Sequence, residues 1–257
     1  MFPISDDNPT LRTPMVTFAI IGLNALVWLL VQSAGGGPRF FASLCELGVI
    51  PGELTGAAAG AWVNLGPGAS CQLEAQPAWH TLVTSMFMHG GWMHIIGNMW
   101  FLWIFGNNVE DSMGRGRFVL FYLLCGIAAA LAQILVDPTS PVPMVGASGA
   151  IGGVMGAYIV LYPKVPVRML IFFGFFVTTY AVPAYLMLGY WFVLQLIGGL
   201  PQVGASGGGV AFWAHVGGFI AGVVLIYGFR NEALVEKHRR AILGGRGYAY
   251  GRRGRPW

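Results

Sequence analysis

Residues 137–163 read DPTSPVPMVGASGAIGGVMGAYIVLYP, and the fold turns on what this stretch can do. From Gly149 to Tyr162 it is apolar and uncharged, and Pro163 then stops it. As a helix rising about 1.5 Å per residue it is only about 21 Å long, whereas a bilayer core is about 30 Å thick. It cannot cross alone. The residues before it, Asp137 to Ala147, are rich in Pro, Gly and Ser, so the chain is expected to enter the membrane as irregular backbone and to begin its helix part-way down. Irregular backbone at that depth is tolerated only inside protein or beside a water-filled cavity. The stretch therefore predicts a wet pocket at Ser148, the residue just before the short helix.

The composition around it points to the same solvent. Of the 257 residues, 56% are hydrophobic and 9% charged, with a mean hydropathy of +0.66. A soluble domain carries about 25% charged residues. A soluble globular body, a disordered chain, a small disulfide scaffold and a free-standing nucleic-acid binder are all excluded.

Apolar runs long enough to span extend from Met15 to Gln32, from about Thr81 to Phe105, from Phe118 to Val136 and from Val210 to Phe229. Between Met169 and Leu200 lies an apolar, aromatic run that as a helix would measure about 48 Å, too long for one crossing and too short for two. One crossing after Pro183, preceded by an interfacial stretch such as Leu170 to Tyr180, fits it best. With the short helix, these runs give six crossings and place both termini on one side.

The charges orient the bundle. Arg12, Arg115, Arg117, Lys164, Arg168, Arg230 and the basic residues beyond it fall on one face, and Arg39 falls on the other beside Glu46, Glu53, Glu74 and Asp137. By the positive-inside rule both termini are cytoplasmic. The tail Arg246 to Arg255 reads either as a solvated, disordered tail or as an anchor to anionic membrane lipid. The first apolar run is followed by small residues, Ser33 to Gly37, as a secretory signal would be. Its length and the acidic Asp6 and Asp7 favour an uncleaved span. Cys45 and Cys71 share the outer loop, where a bridge is permitted, while Cys125 lies within the third span. The sequence leaves both this pairing and the oligomeric state open.

The polar residues of the spans converge on one depth. His94 and Asn98 are four residues apart and share a helix face in the outer half of the second span. His215 lies about 8 Å below the start of the sixth span, and Ser148 at the outer end of the short helix. Ser148, Gly152 and Gly156 repeat every fourth position, as do Ala214, Gly218 and Gly222, so the two helices can approach closely with Ser148 facing His215. Packing alone accounts for the glycines, but not for a Ser, two His and an Asn buried where each needs a polar partner.

This set supports acyl transfer. A serine becomes a nucleophile when a base takes its proton, and histidine is the usual base. Gly146-Ala147-Ser148-Gly149 lets backbone approach a reacting carbonyl, and the start of a helix offers unpaired N–H groups there. Lys164 is about 24 Å from Ser148 along the helix, which removes a Ser–Lys pair. No Asp or Glu falls in the outer half of any span, so the reading is a Ser148–His215 dyad without a third member. No carboxylate accompanies His89 or His94 as a zinc protease would need, and neither metal nor cofactor is expected.

These residues resemble the rhomboid family of intramembrane serine proteases. The likeness rests on His89, His94 and Asn98 in HGGWMHIIGN, on the GASG box ending at Gly149, and on Ala214-His215-Val216-Gly217-Gly218. Gly106, Glu110 and Gly48-Val49-Ile50-Pro51 look like its accessory motifs. The resemblance covers about residues 14 to 229. It implies an all-α membrane protein, a six-transmembrane-helix bundle whose short fourth helix carries the nucleophile at its outer end. Residues 1–13 would be a cytoplasmic segment, 14–229 the membrane domain with an outer loop at about 33–80, and 230–257 a basic cytoplasmic tail.

By the same resemblance Ser148 is the nucleophile, His215 the base, and His94 and Asn98 oxyanion donors together with the Ser148 N–H. His89 would brace the outer loop, and Gly146, Gly149 and Glu110 would be structural near the site. The substrates would be transmembrane proteins cut in or near their membrane segments, with no nucleic acid involved. The location would be the cell's inner membrane, with the site opening outward. Some members carry a Tyr at the position of Gly152 that stacks on the catalytic His, and here it is absent. An inactive client-binding relative and a channel or transporter are the rival classes. The first usually lacks the Ser or the His, and the second would need polar residues along the inner halves of the spans.

Overall fold

The computed structural model describes residues 2–66, 69–73, 76–173, 176–203 and 209–241. Strand β1 (Phe2–Asp6) precedes helix α1 (Met15–Leu26), which a wider π-type turn continues through Val31. The segment between α1 and α5, expected to be the outer loop, holds α2 (Gly37–Leu47), α3 (Pro51–Leu54), the hairpin β2 (Trp62–Gly66) and β3 (Ala69–Gln72), and α4 (Thr81–Thr84). The body is completed by α5 (Trp92–Met113), α6 (Arg115–Val136), α7 (Ser148–Leu161), β4 (Pro166–Phe173), β5 (Phe176–Pro183), α8 (Ala184–Gly199) and α9 (Phe212–Phe229).

Three described helices, α6, α8 with its short continuation to Gln202, and α9, are long and apolar enough to cross a bilayer; Met15–Val31 and α7 are shorter apolar helices. The core lies between α5, α6, α7, α8 and α9, around Leu102, Phe105, Phe118, Phe121, Val154 and Leu188. Lipid tails are as apolar as leucine, so burial alone does not drive helices together there, and close packing must. The seam between α7 and α9 achieves it. A Cβ on Gly218 would land on the carbonyl oxygen of Gly149, and one on Gly222 on that of Gly153. The expected small-residue faces do meet, in a register that also recruits Gly149 and Gly153.

Two expectations need correction. The second apolar run is not one helix from Thr81 to Phe105. It breaks at Met88–Gly91, where Gln32 bonds both backbone groups of His89 at 2.8 Å, restarts at Trp92 and continues to Met113. Its polar end, which hydropathy discounts, is held by the N-terminal segment: Asp111 accepts from Leu11 N (2.6 Å) and Arg12 Nε (3.2 Å).

The described residues are mostly helical, as expected, but the protein is not all-α. The aromatic run after Lys164 is a hairpin, β4 and β5, extended by β1 into an antiparallel sheet of order β1-β4-β5. Its Val, Ile, Phe and Thr content suits strands as well as an interface. Part of the expected 1–13 segment is tied into the body, through β1 and through the bonds of Leu11 and Arg12 to Asp111. The proposed tail begins with helical residues 232–241, packed through a 2.6 Å bond between His238 Nδ1 and the Tyr162 hydroxyl. The basic stretch Arg246 to Arg255 lies outside the described residues, as does Glu74. Cys45 and Cys71 are joined as a disulfide, closing the outer loop, and Cys125 is a buried thiol.

Candidate active site

The segment between α6 and α7 has no regular structure, and its backbone groups are met by protein. Val49 and Met144 exchange hydrogen bonds of 2.9 and 2.7 Å, Gly52 N donates to Ser140 O (2.8 Å), and Gly146 N donates to Ser85 O (2.9 Å). This is how irregular chain is sustained at depth, and it explains the Gly48–Pro51 motif, whose Val49 is the pairing residue. Gly146 has a φ of +135°, and a Cβ there would sit 2.8 Å from His94 Nε2 and 3.4 Å from Ser148 Oγ. Both its conformation and its surroundings demand glycine. A Cβ on Gly149 would lie 2.5 Å from that of Ala129, so this position too sets helix spacing.

Ser148 opens α7 as expected, and its Oγ lies 2.7 Å from His215 Nε2 on α9. The two border a cavity of about 720 Å³ that His94, Ser85, Gln133 and Asp137 also line. His94 Nδ1 accepts the Gly90 N–H at 3.1 Å, so its proton is on Nε2, the atom beside Gly146. Asn98, one turn on, is buried at 7% exposure, and its Nδ2 has no hydrogen-bond partner among the described residues. His89 is fully buried with its ring 5.1 Å from that of His94, edge to face, while Gln32 holds its backbone to the end of the first helix.

Glu110 is structural but not near this site. It lies about 24 Å from His94 along α5, where its carboxylate accepts Val16 N (3.1 Å), Thr17 N (2.8 Å) and Thr17 Oγ1 (2.9 Å). It caps the first turn of α1 from outside that helix.

Sequence reasoning missed two glutamines. The Ser–His pair does not have only His94, Asn98 and water as polar company. Gln195 Oε1 lies 2.8 Å from His215 Nδ1, and Gln133 Oε1 accepts the Ala214 N–H, an orphan donor at the start of α9, at 3.3 Å. Each stands within an otherwise apolar helix, and an intramembrane polar residue is a functional suspect even when uncharged; counting only charges hid them. The place left by Gly152 is bordered by the Trp191 ring, whose centroid is 5.8 Å from that of His215 at 36°.

A hydroxyl bonded to an imidazole, a helix N-terminus and a second imidazole offering N–H, all on one cavity, form a set able to attack a carbonyl and stabilise the resulting oxyanion. Comparison with known proteins gives the family. A family model described as Rhomboid domain matches residues 76–232, more than half of the chain. The chain is 31% identical over 212 residues to Rhomboid protease GluP of Bacillus subtilis, covering 82% of this chain and 35% of that protein. It is 32% identical over 161 residues to Rhomboid-like protein 11, chloroplastic, of Arabidopsis thaliana (59% and 52%). To Rhomboid protein 1, mitochondrial, of Saccharomyces cerevisiae it is 28% identical over 169 residues (63% and 45%). The matched stretches span about half or less of these relatives' lengths.

Proposed function

The chain belongs to the rhomboid family, and from that premise we propose that it is an intramembrane serine endopeptidase that hydrolyses peptide bonds in or near the transmembrane segments of membrane proteins. The observation that carries this reading is the 2.7 Å approach of His215 Nε2 to Ser148 Oγ at the head of α7, on a cavity able to hold water. Six of the helices cross the bilayer, with both termini cytoplasmic and the cavity open to the outer face. In support, Arg12, Arg115, Arg117 and Lys164 flank helix ends opposite the one at which α7 begins.

His215 Nε2 takes the Ser148 proton as Oγ bonds to the scissile carbonyl carbon. The oxyanion is held by the Ser148 N–H, His94 Nε2–H and the free Asn98 Nδ2–H. The C–N bond then breaks, and His215 passes the proton to the leaving amine. Water from the outer face, with His215 again as base, hydrolyses the acyl-enzyme and returns the serine. The GxSG start supplies close backbone approach and the helix supplies unpaired N–H groups, so no charged group need be buried.

The test is Ser148→Ala in the full chain, assayed on a transmembrane substrate in proteoliposomes. Cleavage should fall on the order of 10⁴- to 10⁶-fold with the thermal midpoint unchanged. Retained turnover, or a fluorophosphonate label found elsewhere than Ser148, would remove the reading.

A further inference from the structure

We propose that Gln195 is a positioning residue for His215, a neutral amide standing where a triad has its carboxylate, and that Trp191, one turn earlier on α8, holds the face of the same ring. The proposal rests on the reading of Ser148 and His215 given above.

A series of one-way hydrogen bonds leads to it. Gln195 Nε2 lies 3.2 Å from the Trp191 carbonyl oxygen. A backbone carbonyl can only accept, so the NH₂ side of the amide is on that side and Oε1 faces the imidazole. Oε1 can only accept, so His215 Nδ1 carries the proton across the 2.8 Å contact. The other nitrogen is then bare and accepts the Ser148 hydroxyl at 2.7 Å. The tautomer a general base requires is thus dictated from a helix carbonyl three groups away. Which group an amide presents matters: the wrong tautomer, imposed on a serine triad, lowers kcat about 10⁴-fold. Here the Trp191 carbonyl forbids the flip.

The ring is also fixed in space. Gln195 is only 8% exposed, and Trp191 shares its helix face. On the α7 side a Cβ at Gly152 would lie 3.1 Å from the His215 carbonyl and 3.8 Å from Trp191 Cη2. The indole therefore occupies space that a larger residue at 152 would contest, and the aromatic neighbour of the imidazole, tilted at 36°, comes from α8. An amide suits the place because it orients the ring without bringing a formal charge into the bundle, a charge that pairing with the imidazolium would have to offset.

The experiment uses the full chain in proteoliposomes with Gln195→Leu and Gln195→Glu, reading kcat and KM separately, the pH profile, and the His215 tautomer by NMR of ¹⁵N-histidine-labelled protein. Wild type should show the Nδ1–H tautomer. Gln195→Leu should lower kcat on the order of 10²-fold with KM unchanged and should mix the tautomers. Gln195→Glu should retain most of kcat and move the acid limb of the pH profile, which reports the general base, upward by about one unit or more, as a carboxylate favours the imidazolium. An Nε2–H tautomer in wild type, or a Leu variant with unchanged kcat, would overturn the proposal. Should the Leu variant fail to fold, the wild-type tautomer and the Glu profile still decide it. Loss of cleavage by wild type itself would count against the protease reading and leave the tautomer to judge Gln195.

Discussion

The two ends of α7 are both polar and are built in opposite ways. At the Tyr162 end the groups are packed against one another: Tyr158 OH meets Asp6 Oδ2 (2.5 Å) and Asn8 Nδ2 (3.2 Å). Tyr162 OH lies between Ser112 Oγ (2.5 Å) and His238 Nδ1 (2.6 Å). Carboxylates are present there, and each is tied to a named donor: Asp6 to Tyr158, Glu110 to the start of α1, Asp111 to Arg12. At the Ser148 end no carboxylate among the described residues touches the Ser–His pair, Asp137 lines the adjoining cavity, and Asn98 keeps a donor in hand. Unpaired polar atoms occur at both ends, Asn8 Oδ1, Asn108 Oδ1 and His238 Nε2 at one and Asn98 Nδ2 near the other; what sets the Ser148 end apart is the cavity that Ser148, His94 and His215 line, where polar groups can meet a reacting group.

The contrast can be attacked from either end. The largest effect is expected at the site: His94→Ala should lower kcat by about 10²- to 10³-fold by removing an oxyanion donor, and Asn98→Ala should act in the same direction. Neither should lower the thermal midpoint in detergent, and a lowered midpoint with kcat intact would move these residues into the structural class. At the far end Glu110→Ala should do the reverse. It strips the acceptor from three donors in the first turn of α1, an effect of about 1–3 kcal/mol on stability, while kcat per folded molecule stays as it was.

The smallest effect is that of pH on the N-terminal strand. Burial pushes the Asp6 carboxyl up to about 7, against the opposing bond from Tyr158. Folding thus favours the protonated form, and the contribution of this group to stability is full below its ordinary pKa near 3.8 and fades as pH rises through about 7. The midpoint of wild type should therefore fall between pH 6 and pH 8 more than that of Asp6→Asn, when read by thermal melts in about equal ionic strength. Coincident curves would show that Asp6 titrates as an ordinary surface acid.

How much of this was legible follows from what each element needs. The placement of Ser148 at the head of a helix and of His94 and Asn98 on one helix face could be read because a short helix and a four-residue spacing are local facts, and the approach of His215 to Ser148 because glycine spacing sets where two helices touch. Gln195 was not, since a lone neutral amide in a run such as Tyr185–Leu200 hardly alters hydropathy. The sheet was hidden for a different reason. The hairpin Pro166–Pro183 has a strand composition that an interfacial segment shares, and its third strand, Phe2–Asp6, comes from the far end of the chain. The end of α5 was misjudged because Asn108, Glu110 and Asp111 look like loop residues until the segment that bonds them is known.

The glycine seam between α7 and α9 has a mechanical consequence. Where side chains interdigitate, an intrusion is absorbed by a change of rotamer, but where main chain lies on main chain there is nothing soft to yield. A single methyl placed at Gly218 or Gly222 has to lever one helix bodily away from the other. Ser148 and His215 sit at the head of that seam, so the displacement is delivered to the gap between them. The seam is a gear train and not a cushion, and the 2.7 Å gap is the output it sets.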